Sequence, residues 1–303
     1  MKKKIVKIVL GSSTLTTIVF MIVLIPVLML MDFFGANITD DYVEDNYEYA
    51  KTYRAILNTE LKKGNGYIPL NRILYFYLED DKLSFKEIYE DNLGNDTKKM
   101  LDINSVCELK KYKHYSVCKQ SEIDQSNQLN VEQNKPFHKP IKFNQSSISS
   151  FFMEERYVFG KYDVHEAWDF ASSAKTNVYA VCDGKVENVR FNQSSNTTDK
   201  SNGYGNYIKI KCNVDNEVTY HALYGHLYPN SSKVKICDNV KAGQIIAGVG
   251  TTSYSTGNHL HFEVTKGNKK VDGMSLIDFS NDIELPNPFN KPNDGVLPTI
   301  PHN

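Results

Sequence analysis

The sequence predicts a mainly β domain built of antiparallel sheets, preceded by one membrane-spanning helix and a small helical region. Three observations carry that expectation. Ile8 to Met31 is a run of 24 residues without a charge. Between residues 40 and 118, aromatic and aliphatic side chains recur at helical spacing. From Pro136 onward the pattern changes to short apolar runs separated by Gly-rich turns, with no long helix between them.

The chain has 303 residues, room for about two domains. Its 35 basic and 36 acidic residues nearly cancel, which leaves no nucleic-acid footprint. The balance hides an asymmetry. Lys2, Lys3, Lys4 and Lys7 crowd residues 1–7, and the rest of the chain carries a net charge near −5. As a helix, residues 8–31 would be roughly 36 Å long, enough for a hydrocarbon core of about 30 Å. The lysines assign residues 1–7 to the cytoplasm and place everything after Asp32 outside it. A cleaved signal peptide would have an apolar region of only about 7–15 residues and an Ala-x-Ala-like site. The run here is longer, and Phe34-Gly35-Ala36 is a poor site, so the expected element is a single-pass anchor. Pro26 would kink it, which membrane helices tolerate.

Residues 40–118 read as a small helical region. Tyr42, Tyr49, Tyr53, Ile56, Leu57 and Leu61 mark a first helix from Asp40 to about Lys63, which Gly64-Asn65-Gly66 ends. Pro69 opens a second helix, and Ser84-Phe-Lys-Glu87 has capping-box form before a third. Glu60 invites comparison with a glycosidase acid, but no second carboxylate motif accompanies it. A spacer or docking role fits better.

Residues 119–135 are rich in Gln, Asn, Ser and Lys and form a linker. The β domain then spans 136–276. Val178–Cys182 and Lys185–Val189 read as a hairpin on an Asp183-Gly184 turn. Tyr207–Ile210, Val218–Leu223, Gly243–Ile246 and Leu260–Val264 are further strands, and Asn192–Asn202 is a polar insertion loop. Residues 277–303 hold five of the ten prolines and read as an extended arm, wrapped on the domain or disordered. The five cysteines, Cys107, Cys118, Cys182, Cys212 and Cys237, cannot all pair within one chain. None has Cys-x-x-Cys spacing. Cys107 and Cys118 flank a short polar loop and could bridge in an oxidising exterior.

Two segments far apart carry the chemistry. In His259-Leu-His-Phe-Glu-Val264, strand alternation puts His259, His261 and Glu263 on one face and the apolar residues on the other. His165-Glu-Ala-Trp-Asp169 adds an imidazole and a carboxylate, and Tyr224-Gly-His-Leu227 another histidine. Imidazole and carboxylate are ligand types zinc accepts, and three protein ligands plus a water make a catalytic site.

In order and spacing, His165/Asp169, Gly203-Tyr-Gly-Asn206, Tyr224-Gly-His-Leu227, Ser255-Thr-Gly257 and His259-Leu-His-Phe-Glu263 resemble the lysostaphin-type (LytM-domain) zinc metallopeptidases, which are peptidoglycan endopeptidases. The resemblance covers about residues 136–276. It implies a half-barrel with the LytM-like duplicated hybrid motif, and zinc (Zn2+) held by His165, Asp169 and His261. It implies that His259 and His226 are an unmetallated catalytic pair, and that Tyr204 is a groove residue contacting substrate. Zinc would lower the pKa of its water toward about 7 and polarise the scissile carbonyl. His259 would serve as general base, and His226 would stabilise the oxyanion or hold the water.

Some positions depart from the family pattern. Ala167 stands where a Gly is usual, Glu166 and Trp168 are unusual neighbours, and the Phe-Gly-x-Arg opening becomes Phe152-Met-Glu-Glu-Arg156. Lys211-Cys212 replaces a further histidine, and His221 reads as an outward strand residue. The functional expectation is a membrane-anchored zinc metalloendopeptidase that cuts peptide cross-links of bacterial peptidoglycan on the wall side of the cell membrane. An envelope machinery partner suits that placement. The alternative is a catalytically silent LytM-type binding, activator or channel module. Members of that kind typically lose ligands, whereas this chain keeps all of them. A zinc peptidase acting on extracellular protein is a third reading.

Overall fold

A computed structural model describes residues 40–280, apart from 78, 80–81, 116–117, 119–134, 198–200, 202 and 215–217. The basic end, the expected span Ile8–Met31, nearly all of the linker and most of the Pro-rich arm lie outside the described residues. Among the described residues, no helix is long and apolar enough to cross a membrane. The chain divides into two compact units. One holds residues up to Lys135 with Phe143–Ala171 and Met274–Leu276; the other holds Pro136–Lys142, Ser172–Gly273 and the chain from Ile277.

The first unit begins with four helices: α1 (Asp40–Lys62), α2 (Leu70–Tyr77), α3 (Phe85–Leu93) and α4 (Ile103–Glu108). On α1, Tyr53, Leu57 and Leu61 repeat every four residues and are buried, the stripe expected of a core-facing helix. They join a core with Ile73, Phe76, Ile88 and Tyr89. Helix α3 opens on the expected capping box: the Ser84 hydroxyl accepts from Glu87 N, and Glu87 accepts from Ser84 N. Helix α4, which the sequence reading missed, is capped by Asp102. Its Cys107 bridges to Cys118.

Glu60 finishes α1. It is buried and accepts from Lys63 at 2.8 Å and Asn65 at 2.6 Å. Burial alone would raise its carboxyl, but these hydrogen bonds outweigh burial and hold it below the usual range. A glycosidase acid needs the opposite shift. Glu60 is a helix-end staple.

The same unit contains β1 (Ser147–Ser150), β2 (Glu154–Val158), β3 (Lys161–His165) and β4 (Trp168–Ala171). Strands β2 and β3 form a hairpin closed by Phe159 and Gly160, both at positive φ, as the right-handed twist of paired strands favours. β1 pairs antiparallel with β4.

The second unit contains β5 (Asn177–Tyr179), β6 (Gly184–Arg190), β7 (Asn196–Thr197), β8 (Tyr207–Cys212), β9 (Tyr220–Gly225), β10 (Asn239–Val240), β11 (Ile245–Gly248), β12 (Ser253–Tyr254), β13 (His259–Lys266) and β14 (Lys269–Val271). Its main sheet runs β13-β9-β8-β6-β10, with β14 also on β13. Every pair described in it is antiparallel. Strand β13 shows the expected alternation, with Leu260, Phe262 and Val264 at most 1% exposed.

Two expectations need correction. Val178–Cys182 and Lys185–Val189 are not a hairpin: β5 pairs with β11, and β6 pairs with β8 and β10. The Asp183 carboxylate accepts from Lys241 Nζ and Ala242 N rather than closing a tight turn. Gly184 is there because a Cβ would overlap the Lys211 carbonyl on β8. The polar loop Asn192–Asn202 contains a strand, since Asn196 and Thr197 pair in parallel with Ser253 and Tyr254. The described start of the Pro-rich arm is packed, as the wrapped alternative expects: Ile277 bridges to Phe137, and Phe279 is buried. A second disulfide joins Cys182 to Cys212, and Cys237 is exposed. Two bridges fit an oxidising setting.

Candidate metal centre

In the first unit, His165 ends β3 and Asp169 lies in β4. Asp169 Oδ1 is 3.2 Å from His165 Nε2, and both residues are buried. The tight connection between them holds because Ala167 is small and only 2% exposed; the missing Gly does not prevent the loop. The other carboxylate oxygen, Oδ2, accepts from Arg156 Nη1 at 2.7 Å. Asp169 therefore offers one oxygen beside His165 and spends the other on a cation. Arg156 is fixed in turn, because it sits opposite Asp163 in the β2–β3 register and points at its carboxylate from 3.4 Å.

In the second unit, β13 carries His259, His261 and Glu263, and the loop after β9 carries His226. The rings of His226 and His259 are 4.7 Å apart, and those of His226 and His261 are 5.7 Å apart. His226 Nδ1 lies 2.8 Å from Thr252 O, and His259 Nδ1 lies 2.9 Å from Gly257 O. A carbonyl only accepts, so each Nδ1 carries the proton and Nε2 carries the lone pair. His226 sits in the left-handed region at φ 56°, a strain of order 1 kcal/mol for a non-Gly residue. Its backbone is held there by His226 N donating to Tyr204 O at 2.7 Å and Leu227 N to Asn206 O at 2.9 Å.

The other motifs serve this arrangement. Asn206 is fully buried; its side chain binds both Gln193 backbone groups and Leu227 O, while its N–H donates to Thr252 Oγ1. Gly205 precedes it at φ 62°, where a Cβ would strike the Thr252 carbonyl. Ser255 is buried and donates to Gly257 O at 2.8 Å, which shapes the turn that presents that carbonyl to His259.

Tyr204, expected at the substrate groove, places its hydroxyl 2.8 Å from Glu263 Oε2 and its ring 5.5 Å from that of His261. Burial and the Glu263 carboxylate push the Tyr204 phenol up to about 12, so it remains a donor. Burial alone would raise Glu263, but the His261 ring, the Tyr204 hydroxyl and Lys270 outweigh it and bring the carboxyl down to about 2. His221 faces Glu187 at 2.8 Å, away from this cluster of rings, in keeping with an outward strand position.

One ligand atom from each of His165, Asp169 and His261 lies within 4.8 Å of the others. Two imidazole nitrogens and one carboxylate oxygen suit zinc, whose ligand atoms at about 2.0–2.2 Å stand a little over 3 Å apart around a tetrahedron. The 3.2 Å between His165 Nε2 and Asp169 Oδ1 is of that size.

Residues 163–273 match the model of Peptidase family M23. Peptidoglycan DD-endopeptidase ShyB of Vibrio cholerae is 37% identical over 137 residues, 45% of this chain and 29% of that protein. Glycyl-glycine endopeptidase ALE-1 of Staphylococcus capitis is 37% identical over 99 residues, 33% of this chain and 24% of that protein. A zinc-containing peptidase structure from Vibrio cholerae is 35% identical, covering 46% of this chain and 40% of that one, with a TM-score of 0.38. The chain spans only about a quarter to a third of the length of the curated relatives it matches first.

Arg156 as a partner of Asp169 is not evident from the sequence. The signal was present but ambiguous: an Arg in a familiar opening, at altered surroundings, whose target depends on hairpin register. Outer partners of metal ligands typically carry 10- to 100-fold of metal affinity. Arg156→Ala is expected to weaken zinc binding by about that factor while leaving the fold intact, measured by competition with a chromophoric chelator.

Proposed function

We propose that the protein is a zinc metalloendopeptidase that hydrolyses peptide cross-links of bacterial peptidoglycan, anchored in the cell membrane with its peptidase domain on the wall side. The observation that carries the activity is the convergence of three ligand atoms from His165, Asp169 and His261 within 4.8 Å, with two further histidines beside His261. The wall substrate is supported by the similarity to a peptidoglycan DD-endopeptidase. The anchor is supported by the charge-free run Ile8–Met31 behind four lysines, and the exterior by two disulfides.

Zinc bound by the three ligands would polarise the scissile carbonyl and make a water acidic enough to attack near neutral pH. The rest falls to the chain's own groups. His259 takes the proton of the attacking water on Nε2, because its Nδ1 proton is committed to Gly257 O. His226, tied through Nδ1 to Thr252 O, presents Nε2 to the reacting centre and, when protonated, donates to the developing oxyanion. Glu263 and Tyr204 hold the His261 side of the site.

The test is mass spectrometry of peptides released from isolated walls of several cross-link chemistries. Release of cross-link fragments that a chelator abolishes is the expected result, and the fragments identify the bond. Zinc binding with no release from any wall type would favour the silent-module reading.

A further inference from the structure

Resting on that reading of the metal centre, we infer that the helical region 40–118 is a positioning element for the ligands His165 and Asp169, not a spacer. Helix α1 presents Arg54, Asn58 and Lys62, four residues apart on one face, to strand β1. Asn58 uses its side-chain amide as a neighbouring strand would: Oδ1 accepts from Ile148 N at 2.6 Å and Nδ2 donates to Ile148 O at 3.1 Å. Lys62 reaches Ser147 Oγ at 3.1 Å. Arg54 Nη1 donates to Ser149 O at 3.1 Å and to the buried Glu154 carboxylate at 2.6 Å.

The Arg54 contacts are one step from a ligand, and the Asn58 and Lys62 contacts hold the same strand, where Ile148 and Ser147 face Phe170 and Ala171. Strand β1 pairs with β4, where Ser150 lies opposite Asp169 and Ser149 Oγ donates to Asp169 O at 3.3 Å. Glu154 lies opposite His165 in the β2–β3 hairpin, and Met153 N donates to His165 O at 2.6 Å. The third contact is aromatic. Tyr67, from the loop between α1 and α2, meets the Trp168 ring edge-on at 5.5 Å, and Trp168 is the residue before Asp169. Trp168 is 1% exposed and also packs on Phe151 and Phe170. Its departure from the family pattern thus has a physical reason: it is the socket for the helical region. Metal affinity depends on holding ligands before the ion arrives, and packing that locks their backbone contributes to it as outer hydrogen bonds do.

The full-length chain with zinc or cobalt(II) alone tests this. Tyr67→Ala should weaken zinc binding about tenfold and shift the cobalt absorption bands that report ligand geometry. Tyr67→Phe should restore both. Tyr49→Ala, in the separate Tyr77/Phe85 cluster of the same helices, should leave both as in the wild type. Should Tyr67→Ala fail to fold, Arg54→Gln makes the same comparison. Wild-type affinity and spectrum in Tyr67→Ala would overturn the inference, as would equal weakening by Tyr49→Ala, which would mean general folding. A wild-type chain that binds no zinc would sink the metal-site reading itself, a different failure.

Discussion

Replacing His259 by Ala leaves one zinc bound per chain and lowers peptide release from walls by about 10²- to 10⁴-fold, the range a positioned general base contributes. The two halves of this result come from different atoms. His259 lies outside the group of side chains placed to hold a metal, His165, Asp169 and His261. His259 shares a strand face with His261, two residues away, and its ring stands 4.7 Å from His226. With Nδ1 held by Gly257 O at 2.9 Å, the basic nitrogen has one orientation. Removing the ring deletes that base and leaves the ligands in place. Loss of zinc in the variant would mean that the ring is a ligand. Unchanged turnover would mean that another group takes the proton.

Asp169→Ala has the other large effect: zinc affinity falls by more than about 100-fold and activity disappears with it. Losing an outer partner already costs about 10- to 100-fold, and Asp169 is proposed as a ligand itself. A second penalty follows from Arg156. Its guanidinium is held 2.7 Å from Asp169 Oδ2, and without that carboxylate a cation with less to offset it would face the incoming metal. Isothermal titration with zinc reads the affinity, and the released-peptide assay reads the activity. Retention of wild-type zinc affinity would remove Asp169 from the ligand set.

The site was more legible than the scaffold around it. Strand alternation alone put His259, His261 and Glu263 on one face, because a strand with one buried face leaves no choice of register. The capping box at Ser84 and the stop at Gly64 were legible for the same reason, since local chemistry decides them. What escaped depends on pairing between distant residues. Cys182 and Cys212 meet because β6 lies beside β8, and nothing within either strand announces the other. The supposed hairpin at Asp183-Gly184 failed because its turn residues also suit a long-range strand contact and a side-chain bond to Lys241. Arg156 reaches Asp169 only through the β2–β3 register. Trp168 looked anomalous until Tyr67, about 100 residues earlier, was found against it.

The most direct test is to strip the chain of metal with a chelator, remove the chelator, and return zinc in measured steps while following peptide release from walls. Activity should be absent without metal, rise in proportion to zinc, and saturate at one equivalent per chain. Cleavage by the metal-free protein, or a full equivalent of bound zinc with no cleavage of any wall, would contradict the account.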